Sequence, residues 1–171
     1  MSPQLPSFVS LPAGLRYIEA PEPFHPDGRP SLYLAGATVG CPDWQSEAVG
    51  LLEDAGFDGT VLNPRPSRNT VTNSYAAWSP FGWQDRNIRR TSVVLFWNPL
   101  SHARVQECYQ AHLSTAYGGA VVVGCDPADI VQRANRALLV HALPWLAVAD
   151  TLAGTVSAAL AELEVAASPR Y

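Results

Sequence analysis

The chain has 171 residues, a length suited to one domain that buries roughly 70% of its extended-chain surface. A formal charge of -4 and the absence of any Lys/Arg stripe argue against a nucleic-acid polymer as partner. No run of 18 apolar residues occurs and the first residues, MSPQLPSFVSLPAG, lack signal-peptide character, so neither secretion nor membrane spanning is expected. Three cysteines, Cys41, Cys108 and Cys125, without CxxC spacing read as reduced thiols of a cytoplasmic protein. With 47% apolar and only 15% charged residues, some apolar surface is expected to be covered by another subunit, which makes a homodimer or higher homo-oligomer the expected state.

In chain order, residues 1–30 form a Pro-rich irregular segment in which LRYIEA (15–20) is a candidate extra strand. The regular domain, 31–171, opens with SLYLAGATVGCPDW: a strand, a Gly-rich turn and a helix starting near Pro42 and Asp43. Trp44, Ala48, Leu51, Leu52 and Ala55 then recur at helical spacing as a buried stripe, with Gly56 as the stop. GTVLNP (59–64) reads as the second strand. The following twenty residues, RPSRNTVTNSYAAWSPFGWQ, are too long for an ordinary connection and mark a candidate lid or active-site loop.

A short helix over about 84–90 leads into SVVLFW (92–97), an apolar run typical of a parallel strand covered on both faces. A helix carrying Val105, Cys108, Tyr109, His112 and Ala116 follows, then the strand AVVVG (120–124). Asp126 and Pro127 open the next helix, and WLAV (145–148) is the fifth strand of the domain. The last helix, capped by Asp150 or Thr151, turns Leu152, Val156, Ala159, Leu160 and Leu163 inward. This alternation predicts an α/β, three-layer, flavodoxin-like domain with a five-stranded parallel sheet in the order 2-1-3-4-5.

The turn after the first strand is not a GxGxxG fingerprint, and GxxxxGK[ST], HExxH and GxSxG are all absent. No metal and no cofactor is therefore expected. Arg86, Arg89 and Arg90 are the only close basic group, read as a solvated helix face with a local phosphate site as the alternative. Glu107 stands out because it lies in the first turns of the helix after the third strand, where the dipole favours an ionised carboxylate. Such a group at the carboxyl edge of a parallel sheet could attack the anomeric carbon of a sugar, although position alone favours a helix-surface glutamate that helps the dipole.

Taken in order, SLYLAGATVGCPDWQSEAVGLL, TVLNPRP, the Trp83 region, SVVLFWNP, the Glu107 helix and AVVVGCDP resemble the nucleoside 2-deoxyribosyltransferase family, especially its deoxyribosyltransferase-like branch. The resemblance covers roughly residues 15–165. It implies a flavodoxin-like fold, an oligomer, and cleavage of an N-glycosidic bond in a small-molecule nucleoside or nucleotide through a covalent glycosyl-glutamate. Glu107 would be the nucleophile and Tyr33 would orient it, unless Tyr33 is simply a strand aromatic. Gly36 would let backbone approach the ligand, with Asn63, Arg65 and Asn98 completing the crevice. Arg65 would hold a phosphate or carboxylate, or pair with Asp43 across the loop. Trp44 is read as core, whereas Trp78 and Trp83 are candidates for stacking a base.

The chain departs from the family at three positions where acids are usual, now Gln84, Ser92 and Ser101. Base identity and the proton donor to the leaving group are not inherited. Asp85, one residue past Gln84, and Asp43 are the candidate acids, although a one-residue shift turns a helical side chain by about 100°. A module that binds nucleotides without catalysis is the alternative.

Overall fold

The computed structural model describes residues 14–38, 40–65, 80–99 and 120–167. Six strands form one all-parallel sheet: β1 (Arg16–Glu19), β2 (Ser31–Gly36), β3 (Thr60–Asn63), β4 (Val93–Asn98), β5 (Ala120–Cys125) and β6 (Val148–Ala149). Their spatial order is β1-β3-β2-β4-β5-β6. The expectation of five strands in the order 2-1-3-4-5 needs correction. LRYIEA does form a strand, and because the edge of β3 offers unpaired backbone groups, β1 adds there in register, Tyr17 opposite Val61 and Ile18 opposite Leu62. The five strands from Ser31 onward keep the expected relative order. An arrangement of this kind is consistent with a flavodoxin-like fold.

Four helices are described: α1 (Trp44–Asp54), α2 (Pro80–Ile88), α3 (Ile130–Ala142) and α4 (Leu152–Ala167). Strand alternation decides which helix covers which face. Leu32, Leu34, Val61, Val93, Leu95 and Trp97 point to one side, where Trp44, Ala48 and Leu52 of α1 and Leu152, Val156, Ala159 and Leu163 of α4 cover them. Tyr33, Ala35, Leu62, Val94, Phe96, Val123 and Cys125 point to the other, covered by Trp83 and Ile88 of α2 and Leu139 of α3. The continuous apolar runs in the sequence are the consequence of this double coverage.

Local signals set the helix ends. Asp43 caps α1, accepting the Ser46 N–H at 3.3 Å and the Ser46 hydroxyl at 2.8 Å. Gly56, at φ +70°, ends it. Ala55 was expected in the buried stripe but is exposed, because it is already the C-cap. Helix α3 begins three residues later than Asp126 and Pro127 suggest. Asp126 instead makes a tight turn by accepting the Ala128 N–H at 2.9 Å, and Asp129 takes the cap position over the Val131 and Gln132 N–H groups at 2.8 and 3.0 Å. Thr151 caps α4 through Gly154 N–H at 3.0 Å, while Asp150 accepts from Arg136 Nε at 2.6 Å. The last strand is short, Val148–Ala149, since Trp145 lies outside at 71% exposure.

Candidate functional site

The chain leaves β2 for β3 on one side and returns past it to β4 on the other, so the direction of winding reverses at β2. In open parallel sheets a crevice forms outside the carboxyl ends of the strands at such a point. Here that edge collects Gly36 with residues 37–38 and 40–43 after β2, Asn63 to Arg65 after β3, and the ends of β4 and β5. The amino terminus of α1 opens on the same edge.

The loop after β2 is knitted from one carbonyl. Ala37 C=O accepts from Trp44 Nε1 at 2.8 Å, Gln45 Nε2 at 3.1 Å and the Cys41 thiol at 3.2 Å. Trp44 is buried at 2%, as the core reading expected. Arg65 closes the loop from outside: its Nη1 donates to Pro42 C=O at 3.0 Å, Asp43 Oδ1 at 3.3 Å and Gln45 Oε1 at 2.9 Å, and its Nη2 to Cys41 C=O at 3.1 Å. The pairing with Asp43 is thus present in the structure, with Nη1 shared among three protein acceptors and Nη2 meeting one, so a phosphate or carboxylate approaching Nη1 would have to displace a protein contact. Gln45, fully buried and bonded at both ends of its amide, joins the two halves of this clamp. Sequence reading passed over it, though a long uncharged polar side chain in the first turn of a helix, next to a buried Trp, was the available signal.

Asn63 extends the network. Its Nδ2 donates to the Tyr17 hydroxyl at 2.7 Å and its Oδ1 accepts the Arg65 N–H at 2.9 Å. The side strand β1 therefore contributes to the edge, with Tyr17 also donating to Glu19 Oε2 at 3.4 Å. Burial raises the Tyr17 phenol, partly offset by the Asn63 hydrogen bond, and burial likewise raises the Cys41 thiol, which keeps it from acting as a ready nucleophile.

Replacing Arg65 by methionine is expected to lower stability by about 2 kcal/mol. Its aliphatic stem would remain, but the buried Gln45 Oε1 and two carbonyls would lose their donor. The urea midpoint measures this. The exposed Asp43 contact alone would move it by a few tenths of a kcal/mol.

Tyr33 lies in the middle of β2 on the opposite face, 1% exposed, its ring centroid 6.0 Å from that of Trp83 at 42°. Its hydroxyl is one of two buried side-chain polar atoms, with Thr60 Oγ1, that have no hydrogen-bond partner among the described residues. An unpaired buried hydroxyl costs roughly 1–3 kcal/mol. Tyr33→Phe is therefore expected to leave stability unchanged or to raise it, read as an equal or higher thermal midpoint. Burial also pushes the Tyr33 phenol far above its ordinary value of 10.0. With the folded-state value raised, the associated stability is complete below the unfolded value and is lost as pH rises beyond it. The phenylalanine variant should lose less stability above about pH 10.

Trp83 is buried at 3%, with Nε1 donating to Glu22 C=O at 2.8 Å, so its indole is held in the core beside Tyr33 rather than presented as an open stacking surface. Asp85 follows two residues later, about 200° around α2. It faces solvent and pairs with Arg89 Nε at 3.1 Å. The structure does not bring it to the carboxyl edge. Gly36 sits at φ +142°, and a Cβ there would lie 1.9 Å from the Trp97 carbonyl oxygen. Its lack of a side chain lets β2 pack against β4.

Asn98 ends β4 with its backbone opposite Cys125, and its side chain lies outside what the structure describes. Glu107, Trp78 and Ser101 also lie outside the described residues. Ser92 precedes β4 and exchanges hydrogen bonds with Ser31, its Oγ accepting the Ser31 N–H at 3.2 Å and its own N–H reaching Ser31 Oγ at 3.0 Å. That is the amino-terminal edge of the sheet, about 20 Å from the carboxyl edge across the six residues of β4, so an acid missing at Ser92 cannot be missed by the crevice. A cavity of about 310 Å³ lined by Gly28, Arg29, Pro30, Ser92, Leu163 and Ala166 lies at this same amino-terminal end.

Among the described residues no helix is long and apolar enough to cross a membrane, and no group of three or more His, Cys, Asp or Glu is placed to hold a metal ion. No protein-family model matches the chain, and a search of the curated proteins finds no significant match.

Proposed function

We propose that the chain cleaves the N-glycosidic bond of a nucleoside or nucleotide, with Glu107 as nucleophile and Tyr33 as the residue that positions it. The observation that carries this reading is the Tyr33 hydroxyl, buried on the strand where the direction of winding reverses and without a partner among the described residues. A donor kept dry at that cost is accounted for if it serves an acceptor during function, and a carboxylate is the acceptor that gains most from it. The order of the LAG, DWQ and LNPR segments along the carboxyl edge supports the same reading.

In this mechanism a Glu107 carboxylate oxygen bonds to C1′ as the bond from C1′ to the base nitrogen breaks, and the base leaves with the electron pair and takes up a proton. Water or a second base then attacks C1′ and releases the carboxylate, giving hydrolysis or transfer. Asp43 is not assigned as the proton donor, because its oxygens are engaged by Ser46 and Arg65.

One observation favours a binding module instead: Asp85, the nearest substitute for the acid absent at Gln84, is turned outward onto Arg89. Incubation with a panel of deoxynucleosides, ribonucleosides and their 5′-monophosphates, followed by chromatography for free base, separates the two readings. Base release is expected for at least one member. Binding of a panel member with no release, unchanged in Glu107→Ala, would leave the module.

A further inference from the structure

The amino-terminal end of the sheet carries hydrogen-bond donors that have no acceptor. Arg29 reaches it from the turn before β2, with a side chain only 14% exposed. Its Nη2 is spent on Gly14 C=O and Asp58 Oδ1, whereas the two N–H groups of Nη1 and the one of Nε meet no acceptor among the described residues. Ser92, just before β4, adds one more donor. Ser31 and Ser92 each accept the other's backbone N–H on the hydroxyl oxygen, at 3.0 and 3.2 Å, and the two oxygens lie 3.3 Å apart. That contact uses only one of the two hydroxyl protons. Ser31 is buried at 3%, so the arrangement of least cost turns its proton onto Ser92 and leaves the Ser92 proton over.

Arg29 and Ser92 both line the cavity of about 310 Å³, whose apolar wall is Pro30, Leu163 and Ala166. The volume is roughly ten water molecules' share of liquid, the low end of the range for small-molecule sites. The turn that carries Arg29 is fixed without help from a ligand: Asp27 Oδ1 accepts the Arg29 N–H at 3.0 Å, and Pro30 C=O accepts the Thr60 N–H at 2.9 Å. Little ordering is left for binding to impose.

We infer that this cavity binds a small organic oxyanion, a carboxylate or a phosphate monoester on a short apolar body, whose oxygens take the spare Arg29 N–H groups and the Ser92 hydroxyl. The spare polar groups are donors, and a guanidinium cannot accept, so a cation finds no match there while an oxyanion does. Asp58 is 60% exposed, meets only Nη2 and is not part of the lining, so it does not fill the place of the ligand. A bare inorganic anion would leave the apolar wall without a partner, which is why the oxyanion is assigned an organic body. The six residues of β4 separate this site from the carboxyl edge by about 20 Å, so its ligand is not the substrate of the proposed reaction.

Isothermal titration calorimetry of the full chain with butyrate, butyl phosphate and the neutral butyramide tests this. At least one of the two anions is expected to bind with a Kd of about 1 mM or tighter, and at least about tenfold more tightly than the amide; the tighter anion identifies the head group. Ala166 is exposed, so Ala166→Phe sets a ring over the cavity without entering the core and should weaken binding about tenfold or more. Arg29→Gln should do the same, and Ala166→Phe carries the test if the loss of the Gly14 and Asp58 contacts prevents Arg29→Gln from folding. Glu107→Ala should bind the anion as the wild type does. Absence of binding by both anions to about 10 mM, equal binding of butyramide, or unchanged affinity in Ala166→Phe or in a folded Arg29→Gln would overturn the proposal. Loss of binding in Glu107→Ala would overturn it too, by moving the anion to the crevice.

Discussion

A Gly36→Ala variant is expected to lose about 3–5 kcal/mol of stability, a third or more of what a domain of this size commonly has. Two costs add. At φ +142° an L-residue is strained whatever the space around it. The new methyl would also meet Trp97 C=O at 1.9 Å, and the Trp44 ring and the Trp97 carbonyl carbon at 3.0 Å. Neither backbone neighbour is a flexible tip that can swing away, since Gly36 and Trp97 are paired in the β2–β4 ladder. Relief would require parting β2 from β4 where the winding reverses, and the loop held by Ala37 C=O would move with it. Gly50→Ala is the matching control. Gly50 lies inside α1, a Cβ there meets nothing within 4 Å, and the substitution should stabilise by about 0.5–1 kcal/mol through helix propensity. Chemical denaturation of both variants gives the comparison directly.

The second large effect is kinetic. Glu107→Ala is expected to reduce base release by at least about a thousandfold, because the path through a covalent ester disappears and only slow attack by water remains. Added formate, a small carboxylate that can enter the space vacated, should restore part of the rate. Tyr33→Phe should lower kcat by about 10- to 100-fold with little change in KM, the pattern of a group that supports the transition state more than the ground state. Coupled with an unchanged or higher thermal midpoint, that loss would distinguish a functional hydroxyl from a structural one. A fall in both activity and stability would instead make Tyr33 a packing residue.

The parts of the fold that sequence pattern revealed are those fixed by burial on two faces. SVVLFW and AVVVG read as strands of a parallel sheet, and they are β4 and β5 within a residue of their expected bounds. Whether LRYIEA would count as a strand depended on an unpaired edge of β3 elsewhere in the chain, which no local pattern reports. The start of α3 was placed too early, at Asp126 and Pro127, because Asp129 is an equally competent cap and the turn made by Asp126 hands the role to it. The inward face of α3 was invisible to apolar periodicity for a simpler reason: it is built on Gln132 and Asn135.

The carboxyl edge was legible as a place but not in its wiring. Arg65 and Asp43 were recognisable as a pair, yet three of the four acceptors that hold Arg65 are Cys41 C=O, Pro42 C=O and the Gln45 amide, and backbone carbonyls leave no trace in a sequence. Ser92 could have been set aside at once, since a residue preceding a parallel strand lies at the amino-terminal edge. Asp85 shows the limit of substitution by neighbour, because one step along α2 takes a side chain from the flank of the helix to its outer side.

In the proposed reaction a glutamate, not a water molecule or a distant acid, takes the sugar. Incubating the protein with 2′-fluoro-2′-deoxynucleosides, whose electron-withdrawing fluorine slows breakdown of the ester, and mapping the product by peptide mass spectrometry tests it most directly. A stable fluoroglycosyl adduct is expected on the peptide containing Glu107, lost in Glu107→Ala. An adduct on another carboxylate, or turnover of the unmodified substrate that persists in Glu107→Ala, would contradict it.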